Sequence, residues 1–226
     1  KDIPIVIFTV KDVTELDKVK LGRNITNIIN KADFSKKGLL NEIKKLEMAY
    51  PAKARMIDPL TGVFNNRYFN HWIAQEIERG KRYGFGFSVL LVDMDRLHNY
   101  NARNGFSLGN EALVLVAKLI KDNIRTADCL IRYNGDAFIV ILHNVGREAA
   151  VAVAEKLRVK VENYQFPSAG GKKDEKLTIS VGVACFPADG AEKDELMSNV
   201  QGTVKSAFQY ASLSGGNRVS IFRKGL

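Results

Sequence analysis

The hydrophobic and polar positions after residue 58 repeat with the spacing of helices and strands. Apolar residues recur at helical spacing over residues 65–83, which predicts an amphipathic helix. An almost continuous apolar run over 87–95 ends in carboxylates and predicts a buried strand, followed by a polar loop up to Glu111. The same patterns predict further helices and strands: helices over 111–125, 147–164 and 195–213, and strands over 129–133, 137–143, 177–186 and 217–222.

The order of these elements, α-β-α-β-β-α-β-α-β, contains a split β-α-β unit. Such an order predicts a mixed sheet with flanking helices, in the α/β (α+β) class. Asn134-Gly135 joins two of the strands and is the strongest short-range indication of a β-hairpin. We therefore assign residues 58–226 to one domain and residues 49–57 to a linker.

Residues 1–48 follow a second pattern, in the order strand, helix, strand, helix. Residues 3–10 form a continuous apolar run, which is typical of a parallel strand covered on both faces. The second strand is predicted over 24–33, and an amphipathic helix over 35–49. Because two strands make a sheet too small to be stable alone, we expect this segment to continue upstream or to pack on another element.

Composition and charge exclude several classes of protein. The chain has 226 residues, of which 46% are hydrophobic and 26% charged, which is typical of globular domains and not of disordered proteins. No apolar run approaches the ~20 residues that a membrane-spanning helix needs. The net charge of +9 is compatible with a small phosphorylated ligand. The basic residues are dispersed and not interleaved with aromatic residues, so we expect no nucleic-acid binding.

The start of the sequence and the two cysteines bear on the cellular location of the protein and on its redox chemistry. The chain begins without Met and without a signal pattern, so we expect an interior piece of a cytoplasmic protein. Cys129 and Cys185 lie inside apolar strand patterns. We therefore expect two buried thiols and neither a disulfide nor a metal pair.

Three aspartates lie at the ends of predicted strands: Asp93, Asp95 and Asp136. Asp93 and Asp95 lie on one face of their strand, because side chains in a strand alternate. Asp136 follows the hairpin turn and comes close to Asp93 if the hairpin pairs with that strand. Two such carboxylates can form an oxygen cage for Mg²⁺ on nucleotide phosphates. An Asp in an Asn-Gly hairpin is also common in turns that bind nothing, so spacing alone leaves both interpretations open.

A series of motifs in this order resembles the GGDEF diguanylate cyclase family. The matching residues lie within 58–224 and include Asp58-Pro-Leu-Thr-Gly62, Asp93-Met-Asp95, Arg125-Thr-Ala-Asp128, Asn134-Gly-Asp-Ala-Phe138 and Gly216-Asn-Arg-Val219. The resemblance implies a nucleotidyl-cyclase palm fold, which agrees with the predicted order of elements. It also implies that two half-sites in a homodimer condense two GTP molecules into cyclic di-GMP.

The chain departs from the family pattern around the catalytic site. By resemblance, Asp93 and Asp136 stand at the metal-binding positions and Asn101 at a guanine-binding position. Asn110 stands where the family has a second guanine-binding residue, an Asp, and so lacks the charged acceptor. Five further positions replace a Gly, an acidic residue and three cations of the triphosphate site: Asn134, Ala137, His98, Ser212 and Gly216.

These departures predict a catalytically inactive domain. A triphosphate carries about four negative charges, and phosphoryl transfer needs cations directed at them. Without these cations, we expect Asp93 and Asp136 to be vestigial metal ligands, and Asn101 and Asn110 to be vestigial guanine ligands. No cofactor is expected to be required, and Mg²⁺ only if the vestigial site still binds nucleotide.

The resemblance assigns a separate ligand site to Arg125 and Asp128. In the family this R-x-x-D motif is the product-inhibition site, where the Arg binds a guanine edge or phosphate and the Asp accepts from guanine N–H groups. The supporting basic residue of the family falls on Lys156, and Arg132 is an additional candidate contact. By spacing alone, R-x-x-D is more typical of a helix-end Arg and a surface Asp in a polar turn.

Residues 1–48 resemble the C-terminal half of a response-regulator receiver domain, which has a flavodoxin-like fold. Thr9 matches the switch Thr or Ser, and Lys31 matches the phosphate-contacting Lys, although Ala32 stands where a Pro is usual. The phosphoacceptor Asp of the family would precede Lys1. A docking or dimerisation platform that is never phosphorylated is an equally good interpretation.

Together these features predict a bacterial signalling protein that binds cyclic di-GMP, forms a homodimer and acts on a downstream signalling protein. Two alternatives stay open. A weakly active diguanylate cyclase is compatible with the retained Asp93, Asp136 and Asn101. A protein-interaction scaffold would bind no nucleotide at all.

Overall fold

The structure is a computed structural model that describes residues 5–10, 25–30, 35, 38, 40–41, 56–171, 176–199 and 216–222. The chain divides into two compact units, Lys1–Arg55 and Met56–Leu226. In the first unit, β1 (Ile5–Thr9) and β2 (Ile25–Asn30) pair in parallel, as the continuous apolar pattern of β1 predicts. The first predicted helix of this unit lies outside the described residues, and so does most of the second.

The second unit is a six-stranded mixed sheet with flanking helices. Its strands are β3 (Phe64–Asn65), β4 (Phe87–Asp95), β5 (Cys129–Asn134), β6 (Ala137–His143), β7 (Thr178–Phe186) and β8 (Val219–Ile221). Its fully described helices are α1 (Asn66–Tyr83), α2 (Leu97–Asn104), α3 (Phe106–Lys121) and α4 (Arg147–Glu162). The strand order is β3-β5-β6-β4-β7-β8, with antiparallel pairs at the centre and parallel pairs at both edges. The predicted mixed α/β architecture is confirmed.

Strand β4 lies at the centre of the sheet and separates two hydrophobic cores. Leu90 and Val92 belong to the core that also contains residues of α2, α3 and α4. Val89 and Leu91 belong to the core on the opposite face, against α1. Because neighbouring side chains of a strand point to opposite faces, a strand covered on both faces is apolar at every position.

Helix α1 begins and ends with residues suited to those positions. The Asn65 side chain accepts hydrogen bonds from the backbone N–H groups of Arg67 (3.0 Å) and Tyr68 (3.2 Å), which caps the helix. Gly84 follows the last turn with φ of 70°, a left-handed conformation that glycine adopts without strain. The predicted helix over 65–83 is confirmed, with Asn65 as its cap.

The predicted loop between Asp95 and Glu111 is wrong, because this segment contains α2 and the start of α3. Tyr100 on α2 is fully buried, and its hydroxyl donates to the carbonyl oxygen of Pro167. This packing stabilises a helix whose own sequence has low helix propensity. Gly105, with φ of 85°, separates the two helices.

Other boundaries and environments differ slightly from the predictions. Helix α3 ends at Lys121 instead of residue 125, and the helix after residue 190 is described over 193–199 only. Cys185 is buried as predicted, but Cys129 is only half-buried, with its Sγ 3.9 Å from the Tyr68 hydroxyl; both thiols are free. None of the helices in the described part of the chain has the length and hydropathy of a membrane span.

Candidate metal and ligand sites

The hairpin of β5 and β6 brings Asp136 to the end of β4. Asp93 pairs in register with Ala137, and the backbone N–H of Met94 donates to the Asp136 carbonyl oxygen at 3.4 Å. The predicted pairing of the hairpin with β4 is therefore confirmed. Burial, followed by repulsion from Asp136 and Asp95, raises the pKa of Asp93 to about 7.

Asp95 has a different environment, although it lies only two residues along the same strand. It is 3% exposed, and its oxygens accept hydrogen bonds from the hydroxyls of Thr178 and Ser180 and from the backbone N–H of Asn217, each at 2.7 Å. These three donors stabilise the buried carboxylate without a cation. Asp95 therefore links the end of β4 to β7 and to the loop before β8. It is buried, whereas Asp93 is half-buried.

Asp93 and Asp136 are the residues that would hold a divalent cation. The raised pKa of Asp93 indicates carboxylates whose charge the protein does not neutralise, which fits a hard cation such as Mg²⁺. Within the described ranges, no group of three or more His, Cys, Asp or Glu residues could hold a metal ion. Water and substrate phosphates would supply the remaining ligands, as is usual for Mg²⁺.

Asn101 and Asn110, the predicted guanine-binding residues, lie on either side of the α2–α3 junction. The amide of Asn101 packs against Gly109, where any Cβ atom would overlap it. The Oδ1 atom of Asn101 is buried and has no hydrogen-bond partner within the described part of the chain. Asn110 follows Gly109 directly and is exposed. Asn101 thus lies against the residue that directly precedes Asn110 in the chain.

By resemblance, three positions correspond to triphosphate-binding cations of the family, and this chain has neither Lys nor Arg at any of them. His98 is exposed on α2. Gly216 has φ of 91°, and a Cβ atom there would overlap the Asp95 carboxylate. A longer side chain at position 216 does not fit this arrangement. Ser212, the third substituted position, lies outside the described residues.

Asp128 closes the loop between α3 and β5. Its Oδ2 accepts from the Arg125 N–H at 2.9 Å, and its Oδ1 accepts from the His143 N–H at 3.3 Å. Its own N–H donates to the Arg125 carbonyl oxygen at 3.0 Å. With both oxygens bonded to the backbone, Asp128 is only 5% exposed.

This loop and α4 line a cavity of about 320 Å³ that contains three of the four predicted ligand residues, Arg125, Asp128 and Lys156. Arg125 is exposed, and its guanidinium has no hydrogen-bond or ion-pair partner among the described residues. The Lys156 Nζ donates to the carbonyl oxygen of Asn123 at 3.1 Å and lies at the same cavity. The cavity is therefore lined by two cationic side chains, Arg125 and Lys156, and by two carboxylates, Asp122 and Asp128.

Arg132, the additional candidate contact, does not line this cavity. Its guanidinium donates to the carbonyl oxygen of Gly135 at 2.9 and 3.1 Å and to Oδ1 of Asp58 at 3.2 Å. Although burial opposes them, hydrogen bonds from Thr61 and Arg132 keep the pKa of Asp58 low. Arg132 thus links the turn between β5 and β6 to Asp58 through hydrogen bonds.

Sequence reasoning missed one charged residue of the cavity, Asp122. The predicted helix over 111–125 would include Asp122. Because α3 ends at Lys121, Asp122 instead begins the loop and lines the cavity with Arg125. No local sequence signal distinguishes the two situations.

The comparison with protein families decides the identity of the second unit. The family model described as "Diguanylate cyclase, GGDEF domain" matches residues 55–212. The chain belongs to the GGDEF family. The carboxylates of Asp93 and Asp136, the hairpin that carries Asp136 and the six-stranded sheet are therefore features of a GGDEF domain.

Individual GGDEF relatives agree with this assignment. Diguanylate cyclase DosC of Escherichia coli K12 is 29% identical over 155 residues, which cover 69% of this chain and 32% of the relative. Response regulator PleD of Caulobacter vibrioides is 32% identical over 116 residues, which cover 51% of this chain and 26% of the relative. This chain thus spans about a third or less of the length of these relatives.

A solved structure shows the same fold. The coiled coil and GGDEF domain of DgcB from Caulobacter crescentus, in complex with c-di-GMP, matches with a TM-score of 0.67 and 19% identity. The match covers 82% of this chain and 92% of the DgcB chain. At this level of identity the likeness establishes the fold alone.

Proposed function

We propose that this GGDEF domain is a receptor for cyclic di-GMP and has lost efficient diguanylate cyclase activity. The observation that carries the proposal is that the Arg125 guanidinium has no partner among the described residues and lines, with Lys156, a cavity of about 320 Å³. The family resemblance assigns cyclic di-GMP to this motif, and the DgcB relative was solved with that ligand.

The chemistry of the cavity suits a guanine nucleotide. The planar fork of Arg125 can donate two hydrogen bonds to O6 and N7 of guanine or to a phosphate. The Lys156 ammonium supplies a second positive charge for a phosphate group. Asp128 holds the Arg125 backbone in place through the hydrogen bonds on both sides of the loop.

The catalytic end of the domain supports a loss of synthesis. Asp93 and Asp136 lie together, but Gly216 leaves no room for a cationic side chain and Asn110 carries no charge. Two carboxylates without cations repel a triphosphate. Each missing charged contact is worth roughly 1.5–3 kcal/mol, so three missing cations reduce the rate by several orders of magnitude.

Calorimetric titration with cyclic di-GMP tests the receptor function. We expect wild-type protein to bind with micromolar or tighter affinity and Arg125→Ala to lose at least tenfold, because it removes the unpaired guanidinium. Arg82→Ala, an equal charge change at an exposed position of α1, is the matched control and keeps wild-type affinity. Absence of heat with wild-type protein, or equal affinity of both variants, contradicts the proposal.

A second function, weak diguanylate cyclase activity, is favoured by the proximity of Asp93 and Asp136. Incubation with GTP and Mg²⁺ or Mn²⁺, followed by chromatography of the products, separates the two functions. The receptor proposal expects no cyclic di-GMP at the rates of ordinary cyclases. Product formation that Asp136→Asn abolishes would establish the cyclase instead.

We also propose that residues 1–48 are the C-terminal part of a receiver domain that passes a signal to a downstream protein. The parallel pair β1–β2, with Thr9 at the end of β1, supports this proposal. The PleD relative is named a response regulator. Lys31 and Ala32, the other two positions of the resemblance, lie outside the described residues.

A further inference from the structure

We infer that a second cavity, between the segment 57–64 and α3, binds a small amphiphilic anion, namely a medium-chain carboxylate. This apolar cavity has a volume of about 410 Å³. It is separate from the cavity beside Arg125, since Asp122 is the only residue that lines both. The inference therefore goes beyond the receptor function and does not depend on it.

The lining of this cavity is mostly hydrophobic. Ala117 on α3 and Leu130 on β5 are almost completely buried, with 1% and 2% of their surface exposed. Gly62 also lines the cavity, and a Cβ atom there would have no atom within 4 Å, so the space beside it is open. Removing such surface from water is favourable, which suits a hydrocarbon chain. Six apolar residues contribute: Ile57, Val63, Phe64, Val114, Ala117 and Leu130.

Two cations line the solvent-facing part of the same cavity. Lys118 and Lys121 are exposed, lie about one helical turn apart on α3, and have ammonium groups with no hydrogen bond or ion pair to any described residue. Asp122 adds one negative charge, so the lining keeps a net charge of +1 from two lysines and one aspartate. An apolar lining with unpaired cations at its exposed side is complementary to an apolar chain with an anionic head group.

The volume of the cavity selects the kind of ligand and its length. A methylene group is about as large as a water molecule, which takes up ~30 Å³ in the liquid, so the cavity holds a chain of about ten carbons. An α-helix with its side chains is ~10 Å wide, so the same volume would hold only about one turn of a partner helix. The cavity therefore suits a small molecule and not a helical peptide.

Calorimetric titration with saturated carboxylates from hexanoate to tetradecanoate, below their micelle concentrations, tests the inference. We expect affinity to rise roughly fourfold for each added methylene and to level off near decanoate, where the cavity is full. The dissociation constant of decanoate should be roughly 0.05–1 mM, as for other ligands of about a dozen heavy atoms. Decan-1-ol, which has the same chain without the charge, should bind roughly three- to tenfold more weakly.

A pair of valine variants tests the position of the chain. Val114→Phe places a larger side chain in the cavity, and we expect decanoate affinity to fall roughly tenfold or more, because space for several methylenes is lost. Val159→Phe is the matched control. Val159 lies on α4, is 39% exposed where Val114 is 37% exposed, and does not line the cavity. This control should keep the wild-type affinity.

A pair of lysine variants tests the position of the head group. Lys121→Met removes one of the two cations, and we expect it to reduce the preference for decanoate over decan-1-ol. Lys160→Met is the matched control, because Lys160 occupies the last turn of α4 as Lys121 occupies the last turn of α3, yet it does not line the cavity. A decanoate analogue with a terminal diazirine should, after irradiation, label peptides that contain Val63 or Val114.

Several outcomes would contradict the inference. Wild-type protein that binds no carboxylate, or an equal loss of affinity in Val114→Phe and Val159→Phe, shows that the cavity is not the binding site. Val114→Phe that melts at a higher temperature, with no carboxylate bound by wild type, identifies the cavity as a packing void. Equal affinity for decanoate and decan-1-ol shows that the lysines do not recognise an anion. If wild type binds decanoate but no cyclic di-GMP, the receptor proposal is wrong and this inference stands.

Discussion

Carboxylates of the same type have different roles in this domain because burial and hydrogen-bond donors differ between neighbouring residues. Asp95 is buried but accepts three hydrogen bonds, so its charge is stabilised. Asp93, two residues earlier, is half-buried beside two other carboxylates, so its pKa rises to about 7. The charged form of Asp93 therefore opposes folding unless a cation neutralises it.

Stability should consequently depend on pH through Asp93. Its folded pKa of about 7 exceeds the ordinary aspartate value of 3.8, so the folded state binds the proton more tightly. Stability therefore falls as the pH rises from about 4 to about 7, and the penalty is complete above that range. We expect Asp93→Asn to raise the melting temperature by about 2–4 °C at pH 8, after allowance for solvent screening.

Thermal melts of wild type and Asp93→Asn at pH 4 and pH 8 check this expectation. The difference between the two proteins should vanish at pH 4, where Asp93 is protonated in the native state. Added Mg²⁺ should raise the melting temperature of wild type only. A difference that is the same at both pH values would show that Asp93 carries no uncompensated charge.

At the scale of elements, the loop before β8 is joined to β4 and α4 through Asn217. Its N–H donates to Asp95, its Oδ1 accepts from Arg158 at 2.7 Å, and its side-chain amide donates to Glu162 at 2.6 Å. Gly216 lies directly against the Asp95 carboxylate in this arrangement. At this position, which the resemblance assigns to a cation, the packing of Gly216 against Asp95 leaves no room for a larger side chain.

A cation introduced at position 216 should not confer cyclase activity. We expect Gly216→Arg to lower the melting temperature and to yield no cyclic di-GMP from GTP, because its Cβ overlaps Asp95. Gly84→Arg is the matched control: Gly84 also has positive φ, but no atom lies within 4 Å of the position that a Cβ would occupy there. Cyclase activity in Gly216→Arg at unchanged stability would contradict this account.

At the scale of the whole molecule, ligand size and net charge determine how the chain can associate. The cavity of about 320 Å³ is at the lower limit for small-molecule sites and suits one half of a cyclic dinucleotide. If cyclic di-GMP binds there through one base, the proposed receptor function leaves its second base for another copy of the chain. The net charge of +9 disfavours association of two copies unless an anion lies between them.

We therefore expect cyclic di-GMP to promote a homodimer. Light scattering coupled to size-exclusion chromatography should show the mass doubling from 25.2 kDa when the ligand is added. GMP, which has only one base, should bind without changing the mass, and Arg125→Ala should stay monomeric. A mass that is independent of the ligand would show that the dinucleotide does not join two copies.

The sequence by itself determined the architecture and the proximity of the Asp93 and Asp136 carboxylates. Periodicity located the central strands and α1, and Asn134-Gly135 located the hairpin, because these are local properties of the chain. Once the hairpin is paired with β4, Asp136 has to lie near Asp93. The ordered motifs were specific enough to indicate the GGDEF family.

Only the tertiary structure decided which polar side chains remain free for a ligand. Helix α2 forms because Tyr100 packs in the core, although its local sequence resembles a loop. Arg132 is bonded to Asp58, Asp128 is bonded to two backbone N–H groups, and Asp122 lines the cavity. Hydrogen-bond partners distant in sequence set these roles, and residue type and spacing carry no information about them.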